Sequence, residues 1–227
     1  MVKIIIDPGH GGKDPGAVRN GLQEKNLVLR ISKYMEEYLR ANYTGFQLAL
    51  TRSTDVFIEL SKRADIANKL NADVFISNHV NAGGGTGYES FIYTTPSAKT
   101  ASLQGYVNSE AMKIAGKFGL GAHGDINKRG NLAVLRETNM PAVLTEIGFI
   151  DSKDAALLKN EQFLKEMAEA YARGIAKFLE LPAKKASPVQ GKKYRLYTGT
   201  FASKADAEAA AAKIKKDYGY ITYIREE

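Results

Sequence analysis

Short apolar runs, each stopped by a polar or charged residue, recur along the sequence. Three of them are followed within four residues by a histidine or a glutamate: Ile4–Ile6 by His10, Asp73–Ser77 by His79, and Pro141–Thr145 by Glu146. Runs of this length that are rich in β-branched residues are typical of buried strands. Because ligands gather at the carboxyl ends of the strands in an open α/β sheet, we expect these three side chains to meet at one edge.

Segments with the apolar spacing of amphipathic helices separate these strands. Helices are predicted from Glu24 to Leu39, around Leu60–Leu70, from Leu103 to Phe118 and over Phe163–Leu179, and further strands over Phe46–Thr51 and Tyr88–Thr94. Strands that alternate with helices predict an α/β fold, with a mostly parallel twisted sheet flanked by helices. The candidate site would lie at the carboxyl ends of its strands.

The sequence also predicts several local features. Ala122–Asn131 is expected to be a polar loop in which His123 has no special role, and Leu132–Leu135 a short strand. Asp55 or Ser61 would open the helix around Leu60–Leu70, and Tyr88–Thr94 would point its polar residues outward. Arg63 could pair with a carboxylate near the site, but we expect it to face water, and Gly83–Gly87 suits either a mobile lip or a plain flexible connection. Glu24 has two interpretations. Its position at a helix start favours a carboxylate that complements the helix dipole, and a metal ligand on a rigid helix start is the alternative.

The composition narrows the chemistry. The chain has no cysteine, so a zinc site would have to use histidine and carboxylate ligands. It contains no apolar stretch long enough for a membrane span and no visible leader peptide, so we expect no membrane partner. We expect synthesis in the cytoplasm and release by lysis or another non-classical route.

The net charge of +7 is unevenly distributed. From Ala183 onward there are 10 Lys and Arg against 5 Asp and Glu, whereas the remainder has 22 against 20. A basic tail predicts contact with a polyanion, and anionic cell-wall polymer and nucleic acid are the two candidates. The tail lacks a helix-turn-helix signal and an aromatic base-stacking platform, so we expect no nucleic-acid partner.

The candidate residues suit metal-assisted hydrolysis. Two histidines and a carboxylate with an open position are the protein ligands of a catalytic zinc site, and a further carboxylate must then move the proton of the attacking water. His10 and His79 would be ligands. From spacing alone, Glu24 and Glu146 can exchange the roles of ligand and general acid/base. The chain lacks the HExxH, GxSxG, P-loop and dinucleotide-binding motifs.

Four segments, in their order and spacing, resemble the zinc-dependent N-acetylmuramoyl-L-alanine amidases of the type 3 family: DPGHGG, LQEKNLVL, SNHVNA and PAVLTEIGFIDSKDA. The resemblance covers roughly residues 2–181. It implies one Zn²⁺ and cleavage of the amide between N-acetylmuramic acid and L-alanine in peptidoglycan, as in autolysins and phage endolysins. It also implies His10, Glu24 and His79 as metal ligands, Glu146 as the catalytic residue, and a substrate contact for Arg129. A wall-binding protein without activity is the alternative, although it would need none of these residues.

The C-terminal segment resembles the first β-α-β half of a SPOR-type peptidoglycan-binding repeat. The expected organisation is a catalytic domain over residues 1–181, a Pro- and Lys-rich linker over 182–193, and a partial SPOR-like segment over 194–227. In that segment we expect strands at Tyr194–Thr200 and Tyr220–Ile224 and a helix over Ser203–Asp217. The resemblance implies peptidoglycan as a partner, and the basic charge adds anionic wall polymers.

Overall fold

A computed structural model describes residues 1–184, 200–218 and 224. The strands are β1 Val2–Pro8, β2 Val18–Arg19, β3 Leu22–Gln23, β4 Phe46–Leu50, β5 Val74–Asn81, β6 Tyr88–Ile92, β7 Ala122–Arg129 and β8 Ala142–Phe149. The helices are α1 Glu24–Asn42, α2 Leu60–Lys69, α3 Ala98–Lys117, α4 Ala133–Arg136, α5 Ala155–Leu158, α6 Glu161–Phe178 and α7 Lys204–Tyr218. No helix in the described residues is long and apolar enough to cross a membrane.

The chain forms two compact units, residues 1–184 and 185–227. In the first unit, Thr44 donates its backbone N–H to Pro182 O, and Lys184 donates to Asn42 O, so the start of the predicted linker is bonded to the end of α1 and the residues after it. The second unit contains α7, which agrees with the predicted helix Ser203–Asp217. The predicted strands Tyr194–Thr200 and Tyr220–Ile224 and most of the linker lie outside the described residues.

The first unit is built on a six-stranded sheet with the order β4-β1-β5-β8-β6-β7. β4, β1, β5 and β8 are mutually parallel, β6 runs antiparallel to β8, and β7 is parallel to β6. β2 and β3 form a separate antiparallel hairpin just before α1. The expected α/β fold with a mostly parallel sheet is therefore confirmed.

The two faces of the sheet are covered by different numbers of helices. Successive residues of β1 point to opposite faces: Ile4 and Ile6 join a large core with α1, α3 and α6, whereas Ile5 joins a small core with α2 and α4. The small core includes Phe75 of β5 and Leu144 of β8, which places the later residues His79 and Glu146 on this same face. His79 and Glu146 therefore lie on the thinly covered side of the sheet.

Two expectations about secondary structure were wrong. Ala122–Asn131 is not a loop, because Ala122–Arg129 forms the edge strand β7, whose polar residues remain in contact with water as it pairs on one side only. Leu132–Leu135 is not a strand, because Ala133–Arg136 forms a single helical turn in which Leu135 and Arg136 donate to Leu132 O. Its buried Val134 and Leu135 complete the small core.

Three expectations about side chains were also wrong. Glu89 and Ser90 of β6 are buried rather than outward, because Glu89 contacts Lys128 and Ser90 donates to Ile126 O. Arg63 is 2% exposed and paired with Asp7. Neither Asp55 nor Ser61 opens α2, which follows Glu59 without a side-chain cap.

The glycine segment after β5 is held to the turn after β8. Asp151 Oδ2 accepts the backbone N–H groups of Gly83 at 2.8 Å and Gly84 at 3.0 Å. Asp154 accepts Thr86 Oγ1 at 2.6 Å and Gly87 N at 2.8 Å. These hydrogen bonds favour a fixed segment, in contrast to both the mobile lip and the flexible connection that the sequence suggested.

Glu110 of α3 forms ion pairs with Arg173 and Lys177 of α6, and these pairs provide a test of the fold. Its carboxylate accepts hydrogen bonds from Lys113 at 2.5 Å, Lys177 at 2.7 Å and Arg173 at 3.1 Å. Burial alone would raise the pKa of Glu110, but these three cations lower it to about 2.

We expect Glu110→Gln to lower the free energy of unfolding by about 1–2 kcal/mol near neutral pH, because three cations lose their shared anion. With a pKa near 4.3 in the unfolded chain, the stabilisation by Glu110 is present above that value and is lost as the pH falls toward about 2. Urea denaturation at several pH values would therefore show the two proteins converging in acid. Glu166→Gln, which removes a carboxylate that is ion-paired with Lys117 and hydrogen-bonded to Gln162, should cost less, and an equal cost would contradict this account.

Candidate active site

Three of the predicted site residues converge at one point. Single ligand atoms of His10, Glu24 and His79 all lie within 4.8 Å of one another. His10 follows β1, Glu24 is the first residue of α1, and His79 lies in β5. The fold therefore brings together three side chains from remote parts of the chain.

The carboxylate of Glu24 lies at the centre of this cluster. Its Oε1 atom is 3.1 Å from His10 Nε2 and 3.0 Å from His79 Nδ1, and it accepts the backbone N–H of Val80 at 2.9 Å. Its Oε2 atom accepts the N–H of Ala17 at 2.9 Å. Glu24 is 4% exposed, so backbone groups from two segments fix a nearly buried carboxylate between two imidazoles.

His10 is oriented by its own loop. Asp14 Oδ2 lies 2.8 Å from His10 Nδ1, which leaves Nε2 directed at Glu24. The backbone at His10 is left-handed, with φ of 57°. Gly16 permits a close approach, because a Cβ atom there would lie 2.6 Å from Glu24 Oε2 and 2.7 Å from His10 Cδ2. Asp14 was not predicted, although its position four residues after His10 in a glycine-rich loop was a usable signal.

Two buried arginines hold the loop that carries His10. Arg52 donates to Pro8 O at 3.0 Å and to Gly9 O at 2.7 Å, and Arg63 donates to Pro8 O and His10 O, each at 2.7 Å. Three successive carbonyl groups that cannot join the sheet are thus satisfied by guanidinium groups. Arg52 was not predicted to serve the site, and for Arg63 a carboxylate partner near the site was the less favoured alternative.

Asp7 in turn holds Arg63. It is fully buried and accepts Arg63 Nη1 at 2.9 Å, Thr51 Oγ1 at 2.5 Å and Ser77 Oγ at 2.7 Å. Because Asp7 belongs to β1, Thr51 follows β4 and Ser77 belongs to β5, this network ties the loop to three neighbouring strands.

Glu146 lies beside the cluster in the sheet. On β8 it pairs in register with His79 of β5, and on its other side with Glu89 of β6. Its Oε2 atom is buried and has no hydrogen-bond partner in the described part of the chain. A carboxylate without a partner in such a position is costly, which points to a functional role.

Burial and neighbouring charge shift the pKa values of the two carboxyl groups apart. Burial, together with the charges of Glu24 and Glu89, raises the pKa of Glu146 well above its usual value. Burial would also raise the pKa of Glu24, but its hydrogen bonds with His10 and His79 lower it far below the usual value. One carboxyl group is thus kept ionised and the other can retain a proton, which suits a general acid/base.

A polar row continues from Glu146 across the sheet. Glu89 is 3% exposed, accepts Asn81 Nδ2 at 2.5 Å and contacts the ammonium group of Lys128. Lys128 therefore shares a face with Glu146, whereas the next residue of β7, Arg129, is exposed and points the other way by strand alternation. The substrate contact of Arg129 stays a prediction. His123, on β7, lies 3.0 Å from Thr86 O and packs on Phe149, outside the cluster.

Comparison with known proteins decides the family. The model of the family described as N-acetylmuramoyl-L-alanine amidase matches residues 4–177. The chain belongs to this family. The model of the SPOR domain matches residues 161–222, so its match begins within α6 of the amidase unit and continues into the tail.

Several relatives are similar over nearly the whole amidase. It is 40% identical to a sporulation-specific N-acetylmuramoyl-L-alanine amidase of Bacillus subtilis (strain 168), over 100% of this chain and 86% of that protein. It is 41% identical to an endolysin of Bacillus phage SPP1, over 97% of this chain and 88% of that protein. The solved catalytic domain of CwlV, an N-acetylmuramoyl-L-alanine amidase from Bacillus (Paenibacillus) polymyxa var. colistinus, is 34% identical, with a TM-score of 0.73 over 80% of this chain and 99% of that one.

These matches confirm the family and the activity predicted from the sequence. The amidase is a peptidoglycan hydrolase that acts on the cell wall. The SPOR match confirms the second resemblance.

The Asp7–Arg63 pair supplies a test of how the loop is held. We expect Arg63→Met to lower the free energy of unfolding by about 3–5 kcal/mol, because Asp7 would remain buried without its cation. The double variant Asp7→Asn/Arg63→Met should recover part of that loss in urea denaturation. Arg136→Met, which breaks an exposed pair with Glu137, should cost less than about 1 kcal/mol. A similarly small cost for Arg63→Met would show that the buried pair is unimportant.

Proposed function

We propose that the amidase hydrolyses the bond between N-acetylmuramic acid and L-alanine with a zinc ion held by His10, Glu24 and His79. The observation that carries this proposal is the convergence of two imidazole nitrogens and one carboxylate oxygen within 4.8 Å. This donor set fits zinc, which accepts nitrogen and oxygen ligands and keeps an open position in catalytic sites. The hydrogen bond from His10 Nδ1 to Asp14 Oδ2 is a typical support for a metal-binding imidazole.

Zinc at this site would supply a Lewis acid that lowers the pKa of a water molecule and polarises the scissile carbonyl group. The chain's own residues then handle the proton. Glu146 accepts the proton of the attacking water and delivers it to the leaving nitrogen of L-alanine. Its Oε2 atom, which has no hydrogen-bond partner among the described residues, supports the accepting half of this role, and its raised pKa supports the donating half.

The tail extends the proposal to wall binding. Helix α7 exposes four lysines, Lys204, Lys213, Lys215 and Lys216. Together with the SPOR match, this charge supports binding of the tail to peptidoglycan or to anionic wall polymers. Arg129 is retained as a proposed substrate contact on the exposed edge strand.

The decisive experiment combines metal removal with a variant of Glu146. Purified peptidoglycan incubated with the full chain should release new N-terminal alanine, a chelator should abolish the release, and zinc should restore it. We expect Glu146→Gln to reduce the rate by about 10²- to 10⁴-fold, because the proton acceptor is lost. Zinc content and wall binding should be unchanged.

Two results would contradict the proposal. Full activity in the presence of the chelator would remove the metal from the mechanism, and near-normal cleavage by Glu146→Gln would remove that residue. Glu137→Gln serves as a control, because it removes a partly exposed carboxylate paired with Arg136 and should leave the rate unchanged.

Gly9 allows the metal ligands to be tested without any measurement of activity. A Cβ atom at this position would lie 2.3–2.8 Å from three ring atoms of His79. We therefore expect Gly9→Ala to displace the imidazole and to weaken zinc binding about 10- to 100-fold, the range typical of disturbed ligand support. Calorimetric titration with zinc would measure the change.

Gly105→Ala is the matched control. Gly105 lies in α3, and apart from its chain neighbours and the adjacent backbone of that helix, no atom of the described residues comes within 4 Å of the position that a Cβ atom would take there. Zinc affinity should therefore be retained, and stability should rise by about 0.5–1 kcal/mol. Wild-type zinc affinity in a folded Gly9→Ala protein would argue against His79 as a ligand.

A further inference from the structure

A cleft of about 410 Å³ opens beside the candidate active site. Its lining residues come from three segments: Ala17, Val18, Arg19, Ala82, Ile150 and Asp151. We refer to it as the Arg19 cleft. None of these residues belongs to the proposed metal-binding or catalytic set.

Each of the three segments that line the Arg19 cleft either contacts or closely follows one residue of the site. Ala17 donates its N–H to Glu24 Oε2 at 2.9 Å, Ala82 follows His79 by three positions, and Ile150 follows Glu146 by four. A substrate whose scissile bond lies at the cluster would therefore have this cleft as an immediate continuation. A polymeric substrate must extend beyond the reacting amide on both sides, so clefts of this kind are expected to receive its neighbouring groups.

The walls are held in place by hydrogen bonds between the segments. Asn20 Nδ2 donates to Ile150 O at 2.9 Å, and Ile150 N donates to Asn81 O at 2.8 Å. Asp151 Oδ2 accepts the N–H groups of Gly83 and Gly84. These hydrogen bonds and, to a smaller extent, the charge of Arg19 lower the pKa of Asp151. Its other oxygen, Oδ1, has no hydrogen-bond partner among the described residues. The hydrogen bonds between the segments fix the walls of the cleft.

Arg19 is the cation of this cleft. It lies on the exposed hairpin strand β2 and makes no ion pair with a carboxylate in the described residues. Because Val18 pairs with Gln23, the Cα atom of Arg19 is on the order of 10 Å from that of Glu24. A guanidinium group at that distance can reach a group one residue beyond the scissile amide.

We propose that the Arg19 cleft binds a free carboxylate of the stem peptide, and this inference rests on the proposed function. The carboxyl group of muramic acid is consumed in the scissile amide, so the free carboxylates near that bond belong to the peptide. The second stem residue, a glutamate linked through its side chain, presents its α-carboxylate there unless that group is amidated. A guanidinium group recognises a carboxylate through two parallel hydrogen bonds and gains much less from a carboxamide.

The experiment compares two muramoyl tripeptides that differ only in this group, one with the free carboxylate and one with the carboxamide. For the wild-type full chain with zinc, we expect kcat/KM to be about tenfold higher for the carboxylate, mainly through KM. Arg19→Gln should reduce the carboxylate value to about that of the carboxamide and should change the carboxamide value much less. Arg19→Lys should retain part of the preference, and Lys33→Gln, on the exposed face of α1, should retain all of it.

Two outcomes would overturn the inference: a preference that survives Arg19→Gln, or an equal loss on both substrates. A binding measurement separates this failure from a failure of the proposed function. Calorimetry with the zinc-loaded Glu146→Gln chain would compare an alanyl-glutamyl peptide in its carboxylate and carboxamide forms, with and without Arg19→Gln. Binding that depends on Arg19 and the carboxylate supports the cleft even if no hydrolysis occurs, and binding that depends on neither refutes it.

Discussion

The buried carboxylate of Glu24 is the interaction on which the rest of the site depends. It joins a loop, a helix start and a strand, because it faces His10, belongs to α1, and accepts hydrogen bonds from Val80 and Ala17. A charged group that is 4% exposed is stable only when its lone pairs are satisfied and a cation is near. Positioning this one side chain therefore requires most of the surrounding backbone to be in place.

Negative charge accumulates at this edge of the sheet and limits what the site can do. The charges of Glu24 and Glu89 both act on Glu146, and Lys128 is paired with Glu89. Glu146 responds with a raised pKa, whereas Glu24 stays ionised because two imidazoles share its charge. A divalent cation among His10, Glu24 and His79 would relieve the same repulsion. The electrostatics of the chain thus favour metal binding and proton transfer at the same point.

Sequence patterns predicted the parts of the molecule that local rules control. Apolar runs predicted β1, β5 and β8, and helical spacing predicted α1 and α6, because burial on a sheet face or helix stripe leaves a periodic signal. β7 was missed, because an edge strand is polar on its open side and resembles a loop. Arg63 was misplaced, because a helical arginine usually faces water. The burial of Arg63 depends on the tertiary positions of Asp7 and of the carbonyl groups of Pro8 and His10. The family resemblance, rather than spacing, assigned distinct roles to Glu24 and Glu146.

The hydrogen bonds that hold the loop of His10 depend on one another. A chain that leaves β1 and turns back through a left-handed residue exposes three carbonyl groups, and no strand is available to bond them. Arg52 and Arg63 satisfy these groups from two later segments, and Asp7 balances the charge of Arg63 from the strand below. Each partner is buried, so the loss of any one leaves another polar group unpaired. Ligand geometry and fold stability consequently depend on the same hydrogen bonds, and a substitution that loosens the loop must affect both.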